Sequence, residues 1–396
     1  MSDAQFLRLA LRLARRGYGA TSPNPMVGAV LVKGGKIIGR GWHRKAGMPH
    51  AEIEALRDVR KRGENPRGAT LHVTLEPCCT HGRTPPCTDA IIAAGIRRVV
   101  VGATDPNPEH AGKGFAILKH AGIEVIKAGS SRRDDRTAQR AVPTRIADEC
   151  AKLNEAFNHW IVHRTPFVTV KAAMTLDGKI ATAFGESKWI TGEKARAQGM
   201  KLRQGADAIL VGINTILADD PALTFRPTGK SKENIQRPKL RRVVLDSRAR
   251  TPLNAKVVSD EHAAWTTIVV GKAAPESRVS SLAKRVNVVV APLRKSSIVN
   301  RQSSIDLRWL LKKLGGENVT SLLVEGGGET NANFLEQKLV QRIAFFYAPK
   351  ILCGREARKG VAGEGIERLE QKISLREVEW RKLGADLFLT ARVVES

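Results

Sequence analysis

Through residue 130 the hydrophobic pattern switches repeatedly between strand-like and helix-like runs. Val27 to Leu31, Leu71 to Leu75, Arg98 to Gly102 and Glu124 to Ala128 read as strands; His50 to Lys61, Thr88 to Gly95 and Ala111 to Ala121 read as helices. Such alternation implies helices packed around a central sheet. The Arg-rich amphipathic stretch Phe6 to Ala14 runs into the first strand without a spacer, so it is read as a first helix rather than a transit peptide. Arg145 to Trp160 continues as one helical pattern, and a new sheet opens at Phe167 to Lys171 after Thr165-Pro166. These breaks predict a domain over 1–145, a linker helix over 146–165 and a second domain over 166–396.

In the second half, Lys171 to Ile180 reads as strand, turn and strand, and Trp189 to Gly192 leads into a helix carrying Arg196 and Arg203. The apolar strand Ser321 to Val324 is followed by Glu325-Gly326-Gly327-Gly328-Glu329-Thr330 and a helix over 331–338. Glycines at a strand-to-helix turn let backbone N–H groups approach phosphate oxygens, and the helix N-terminus favours negative charge. Their spacing is not the dinucleotide fingerprint of the doubly wound fold, and no βαβ unit is expected around them.

At 396 residues with 42% apolar composition the chain is long enough for two cores. No run approaches the ~18 apolar residues of a membrane span. Five cysteines, an odd number, point to a reducing compartment, and the cytoplasm is expected.

The candidate chemistry is concentrated in His50-Ala51-Glu52, Pro77-Cys78 and Cys87. One imidazole and two thiolates supply three tetrahedral zinc ligands and leave a position for an activated water. Glu52, not itself a ligand, is suited to general acid and base work in hydrolytic deamination. It shares the pocket with His50 only if a helix begins there. Pro77 is likewise read as the start of a helix containing Cys78.

Nucleic-acid and nucleoside deaminases place two residues between the two cysteines. Here eight residues intervene, ending in Gly82-Arg83-Thr84-Pro85-Pro86. That loop, together with Thr21-Ser22-Pro23-Asn24-Pro25-Met26-Val27-Gly28 and Gly41-Trp42-His43, resembles the bifunctional deaminase/reductase family of riboflavin biosynthesis, and the likeness covers nearly the whole chain. The resemblance implies an α/β chain with an N-terminal cytidine-deaminase-like three-layer domain and a C-terminal dihydrofolate-reductase-like domain. It implies Zn2+ and NADPH as cofactors and phosphoribosylated pyrimidines as substrates. Asn24, His43 and Arg83 are then expected at the deaminase substrate. NADPH is expected at Ala173, Trp189, Thr215, Asp219, Ser247, Gly327, Gly328, Glu329, Thr330, Asn331, Ala332 and Asn333. Lys171, Ser187, Thr191, Arg203, Leu223, Arg226 and Glu325 are expected at the reductase substrate. One departure is Thr80, where the family often has His and this chain has its histidine one position later, at His81.

The formal charge of +27 favours a competing reading, a tRNA deaminase. Against it stand the cysteine gap, the second catalytic-looking half and an aromatic content of only 5%, which leaves few stacking platforms. A homo-oligomer binding neither nucleic acid nor membrane is expected.

Overall fold

The computed structural model describes residues 1–81, 85–129, 142–226, 240–294 and 304–394, divided between two compact units with the boundary at Arg164 and Thr165. In the first unit β1 (Gly28–Lys33), β2 (Lys36–Trp42), β3 (Thr70–Leu75), β4 (Arg98–Ala103) and β5 (Glu124–Lys127) form a sheet in the order β2-β1-β3-β4-β5. Strand β1 is antiparallel to β2 and β3, whereas β3, β4 and β5 run parallel.

Successive strand residues face opposite sides of a sheet. Val30, Val32 and Val100 therefore pack on one side against α1 (Asp3–Ala14) and α5 (Thr144–Leu153). Ala29, Leu31, Val99 and Val101 pack on the other against α2 (Ala51–Lys61), α3 (Cys87–Ala93) and α4 (Lys113–His120). The result is three layers. Asp3 keys α1 to the sheet by accepting from Arg98 at 2.6 and 3.1 Å and pairing with His72 at 2.9 Å.

The continuous linker helix expected over 146–165 is instead two helices, α5 and α6 (Glu155–His163), which belong to the first unit. The break falls at Asn154. Its buried side chain accepts from the Met26 N–H at 2.8 Å and donates to the Met26 carbonyl at 2.9 Å, a pairing that competes with continued helix.

The second unit is built on nine strands: β6 (Phe167–Thr175), β8 (Ala208–Gly212), β9 (Arg241–Leu245), β10 (Thr266–Gly271), β11 (Asn287–Ala291), β14 (Ser321–Val324), β15 (Arg342–Ala348), β17 (Leu375–Leu383) and β18 (Asp386–Val393). Short ribbons pair β7 (Lys179–Ala181) with β16 (Arg358–Lys359) and β12 (Leu293–Arg294) with β13 (Ser304–Ile305). The sheet order is β11-β10-β9-β8-β14-β6-β15-β18-β17, parallel from β11 to β15 and antiparallel beyond. One face carries α11 (Leu307–Gly316) and α12 (Gly328–Glu336). The other carries α7 (Glu193–Gln204), α8 (Ile213–Asp219), α9 (Lys256–Ser259) and α10 (Glu276–Ala283).

This topology corrects one expectation. Strands β14 and β15 both run parallel to β6, which lies between them, so β14-α12-β15 is a βαβ crossover and the glycine-rich turn sits inside it. Helix α12 also starts earlier than residue 331, at Gly328 with Gly327 as its N-cap.

Candidate active sites

In the first unit, the backbone of β2 lies directly on α2. A Cβ on Gly41 would stand 2.3 Å from both the Ala51 carbonyl oxygen and the Ala55 nitrogen, so only glycine permits the approach. Helix α2 begins immediately after His50, its N-cap, and Glu52 takes the second helical position with 3% of its surface exposed. The helix start that the His-x-Glu pattern required is present.

His50 Nδ1 lies 3.4 Å from Cys78 Sγ and 3.3 Å from Cys87 Sγ, and the three donor atoms all fall within 4.8 Å of one another. Cys78 does not start a helix as Pro77 suggested; it sits in a loop, and α3 begins at Cys87 with Pro86 as N-cap. The Cys87 N–H at that helix start donates to Cys78 Sγ at 3.3 Å. The hydrogen bond from the Cys87 thiol, with His50 assisting, draws the Cys78 thiol down to about 4 despite burial, while the same bond and burial push Cys87 up. The two sulfurs thus share one proton. Ionising the second in so buried a place calls for a cation, and a His-Cys-Cys donor set is one that Zn2+ accepts. Burial first, and then the charge of Cys78, pushes the Glu52 carboxyl up to about 7.

His43 is buried, and its Nδ1 lies 3.1 Å from the Pro49 carbonyl, which can only accept. Burial lowers its pKa, so the ring is held neutral with the proton on Nδ1. Its Nε2 then accepts from Asn24 Nδ2 at 3.2 Å. The His43 and His50 rings stand edge to face with centroids 5.4 Å apart, so Asn24 and His43 are brought beside His50. Arg83 lies outside the described residues. Cys79 is not part of the donor cluster.

In the second unit, most of the residues expected at the cofactor lie at or just beyond the carboxyl ends of neighbouring parallel strands, whereas Trp189 stands in the loop before α7 and Asp219 at the far end of α8. Ser247 follows β9, Thr215 lies in the helix after β8, Gly327 to Asn333 follow β14, and Ala173 is near the end of β6. This is where α/β sheets with parallel strands bind ligands. The first N–H groups of α12 lack intrahelical acceptors by construction, and nothing lies within 4 Å of where a Gly327 Cβ would stand. The turn is open at Gly327, whereas a Cβ on Gly328 would stand 2.3 Å from the Lys359 carbonyl oxygen, and an N–H-lined opening at Gly327 fits a phosphate of NADPH. Glu329 is exposed and Ala332 buried. Asn331 donates to the Gly360 carbonyl at 2.8 Å while its Oδ1 is buried without a partner, and Asn333 accepts from Gln337.

Register explains the reductase cluster. Val170 pairs with Val324, which places Lys171 beside Glu325, their Nζ and Oε2 being 3.5 Å apart. Arg203, in the last turn of α7, donates to both Glu325 oxygens at 2.8 and 3.0 Å and to the Thr224 carbonyl at 3.0 Å. Burial alone would raise the Glu325 carboxyl, but Lys171 and Arg203 hold it down at about 2. Leu223 is buried with φ +51°, in the same segment. Ser187 donates to Asp219 at 3.4 Å. The buried Thr191 uses its carbonyl to accept from Arg196, whose guanidinium lies 4.8 Å from the ring centre of the exposed Trp189. Arg226 is exposed at the edge of the described segment.

Three residues of functional bearing escaped the sequence reading. Arg242 is 1% exposed, pairs with Asp260 through two 2.7 Å bonds, and donates to the Ala222 carbonyl at 3.0 Å, anchoring the segment that carries Leu223. An arginine inside an apolar strand was its only signal. Glu76, two residues before Cys78, accepts from backbone N–H groups of Asp105, Gly112 and Gly114, and His110 lies 3.1 Å from Thr80, two residues after it; Glu76 was signalled only by an acid at the end of an apolar run, and His110 by nothing.

A zinc-site three-layer domain followed by a mainly parallel reductase-type sheet defines a class, a deaminase and a reductase joined in one chain. Residues 1–103 match the cytidine and deoxycytidylate deaminase zinc-binding region, and residues 166–389 match the RibD C-terminal domain. Riboflavin biosynthesis protein RibD of Aquifex aeolicus is 42% identical over 98% of this chain and 97% of its own length, and that of Actinobacillus pleuropneumoniae is 40% identical over 100% and 96%. Acinetobacter baumannii RibD superposes with a TM-score of 0.82 at 34% identity, covering 99% of both chains. A Thermotoga maritima diaminohydroxyphosphoribosylaminopyrimidine deaminase/5-amino-6-(5-phosphoribosylamino)uracil reductase gives 0.76 at 34% identity and the same coverage. The chain belongs to the RibD family of bifunctional deaminase/reductases of riboflavin biosynthesis, and its second domain has the dihydrofolate-reductase-like fold. It is a hydrolase and an oxidoreductase using Zn2+ and NADPH, and the tRNA-deaminase alternative is set aside.

Proposed function

We infer that the first domain removes ammonia from 2,5-diamino-6-(5-phosphoribosylamino)-4-pyrimidinone through His50, Cys78, Cys87 and Glu52, and that the second reduces the ribose of the product. The observation carrying this reading is the convergence of His50 Nδ1, Cys78 Sγ and Cys87 Sγ within 4.8 Å beside the buried Glu52. When bound, zinc supplies Lewis acidity that makes water nucleophilic near neutral pH. Glu52, with its carboxyl near neutrality, would take one proton from the attacking water and hand it to a ring nitrogen, then carry the second water proton from the new C–OH to the departing amino group, so that ammonia leaves and C2 becomes a carbonyl. Asn24 and the neutral His43 orient the pyrimidine, with Arg83 completing that wall.

When bound in the second domain, NADPH would supply the hydride that reduces C1′ of the ribose, with one proton taken up as the sugar opens to the ribityl chain. Ala173, Trp189, Thr215, Asp219, Ser247 and the Gly327 to Asn333 turn hold the dinucleotide. Arg203 and Arg226 take the substrate's 5′-phosphate, Glu325 fixes Arg203 and Lys171, and Ser187, Thr191 and Leu223 line the remainder. Incubation of the diaminopyrimidinone ribotide with zinc-loaded protein and NADPH is the test. Ammonia release followed by equimolar NADPH oxidation is expected; no ammonia from the ribotide, with deamination of tRNA instead, would refute the reading.

The protein works as a homo-oligomer in the cytoplasm, apart from nucleic acid and membrane. Edge strand β17 and its hairpin neighbour expose Val378, Trp380 and Leu387, and an uncovered apolar edge favours self-association. All five cysteines are free, in keeping with a reducing compartment. Among the described residues no helix is long and apolar enough to cross a membrane. Sedimentation velocity tests the assembly, and a monomer at micromolar concentration would contradict it.

A further inference from the structure

His50 caps α2 and Cys87 opens α3, whereas Cys78 has no helix at or next to it, yet its loop is anchored on both sides. Glu76, two residues before, is 5% exposed and accepts three backbone N–H groups: Asp105 at 3.2 Å, Gly112 at 3.1 Å and Gly114 at 3.0 Å. Gly112 is the N-cap of α4 and Gly114 its second residue, so the carboxylate caps that helix from outside its own sequence. The contact is tight. A Cβ on Gly114 would stand 2.6 Å from the Pro77 carbonyl oxygen, the residue adjoining Cys78. Thr80, two residues after Cys78, has its Oγ1 3.1 Å from His110 Nε2, and His110 Nδ1 is 3.9 Å from Asp105 Oδ2. Both anchors therefore end on one segment, 105–114, whose own turn is fixed by the Asn107 N–H donating to Asp105 at 2.9 Å.

We propose that Glu76, with the Thr80–His110 contact, brackets Cys78 and sets the position of its sulfur before zinc arrives, making Glu76 and Thr80 positioning residues for metal binding. The inference rests on Cys78 being a zinc ligand. A loop ligand without anchors loses backbone freedom when the metal binds, whereas one already fixed by three charge-assisted hydrogen bonds does not.

Competition for zinc between a chromogenic chelator and the full-length protein separates the possibilities. Glu76→Gln keeps size but turns an N–H₂ toward backbone donors. It should weaken zinc Kd by about 10- to 100-fold while still binding one zinc at saturation. Glu76→Asp, which keeps the carboxylate, should fall between Gln and wild type, and Thr80→Val should cost about threefold. NADPH oxidation with deaminated ribotide should be unchanged in each, reporting an intact chain. Glu76→Gln with wild-type Kd, whether at full or reduced zinc stoichiometry, overturns the bracket, because a folding defect lowers the amount bound and not the affinity. Cys78→Ser run alongside distinguishes the underlying reading: if that variant keeps wild-type affinity, the zinc site itself is wrong.

Discussion

Two glutamates, one in each half of the molecule, occupy comparable places and have been driven in opposite directions. Glu52 is 3% exposed at the start of α2 and Glu325 has 10% of its side chain exposed just beyond β14. Burial raises both carboxyls, yet Glu52 stands at about 7 and Glu325 at about 2. The partners make the difference. Beside Glu52 is the anionic sulfur of Cys78; beside Glu325 are Lys171 and a two-pronged Arg203. A carboxyl near neutrality is able to move protons, whereas one locked as an anion is able only to hold cations in place. Glu52 is thus left able to exchange protons, and Glu325 holds two cationic side chains in place.

The contrast breaks most severely if the metal donors are removed. Cys87→Ser should abolish ammonia release, by at least about 10⁴-fold, because water without the metal has a pKa of ~16 rather than ~7. NADPH oxidation on deaminated ribotide should persist, and coupled assays on the two substrates check both halves. Truncating Glu325 to Ala should act on stability as well as reduction. It leaves Arg203 and Lys171 uncompensated, at a cost of roughly 3–5 kcal/mol, read from urea unfolding of the second domain while zinc binding is unaffected.

Acid titration sharpens the same point. The folded-state pKa of Glu325, about 2, lies below its ordinary 4.5, so its contribution is full above 4.5 and is lost as pH falls from there toward 2. That loss amounts to about 3 kcal/mol. Hydrogen-exchange protection of β14 should decline across that window in wild type and be flatter in Glu325→Gln. The smallest effect concerns Arg242. Arg242→Lys loses the fork to Asp260 and the grip on the Ala222 carbonyl, so the KM for deaminated ribotide should rise about tenfold with kcat nearly unchanged.

What the sequence disclosed and what it withheld follow from the range of the interactions. His50, Glu52, Cys78 and Cys87 were legible because metal chemistry restricts residue type and order, whatever the fold. Strands β1, β3, β4, β5, β6 and β14 were legible from apolar runs, whereas β2, β10, β11, β15, β17 and β18 were not identified. Strand order was not legible: that β6 lies between β14 and β15, making the glycine-rich turn part of a βαβ unit, depends on pairing between residues far apart in sequence. The break at Asn154 depends on Met26, and the bracket around Cys78 depends on backbone N–H groups that every residue but proline carries. Polar groups acting through main-chain partners leave almost no trace in a pattern of side chains.

The division of the chain into two separate chemistries has Glu52 as the proposed proton carrier of the first. Its most direct test is Glu52→Gln with zinc content, ammonia release and NADPH oxidation measured on the same preparation. Zinc should be retained, ammonia from the diaminopyrimidinone ribotide should fall by about 10²- to 10⁴-fold, and the deaminated ribotide should be reduced at the wild-type rate. Undiminished ammonia release from the zinc-loaded variant would contradict it.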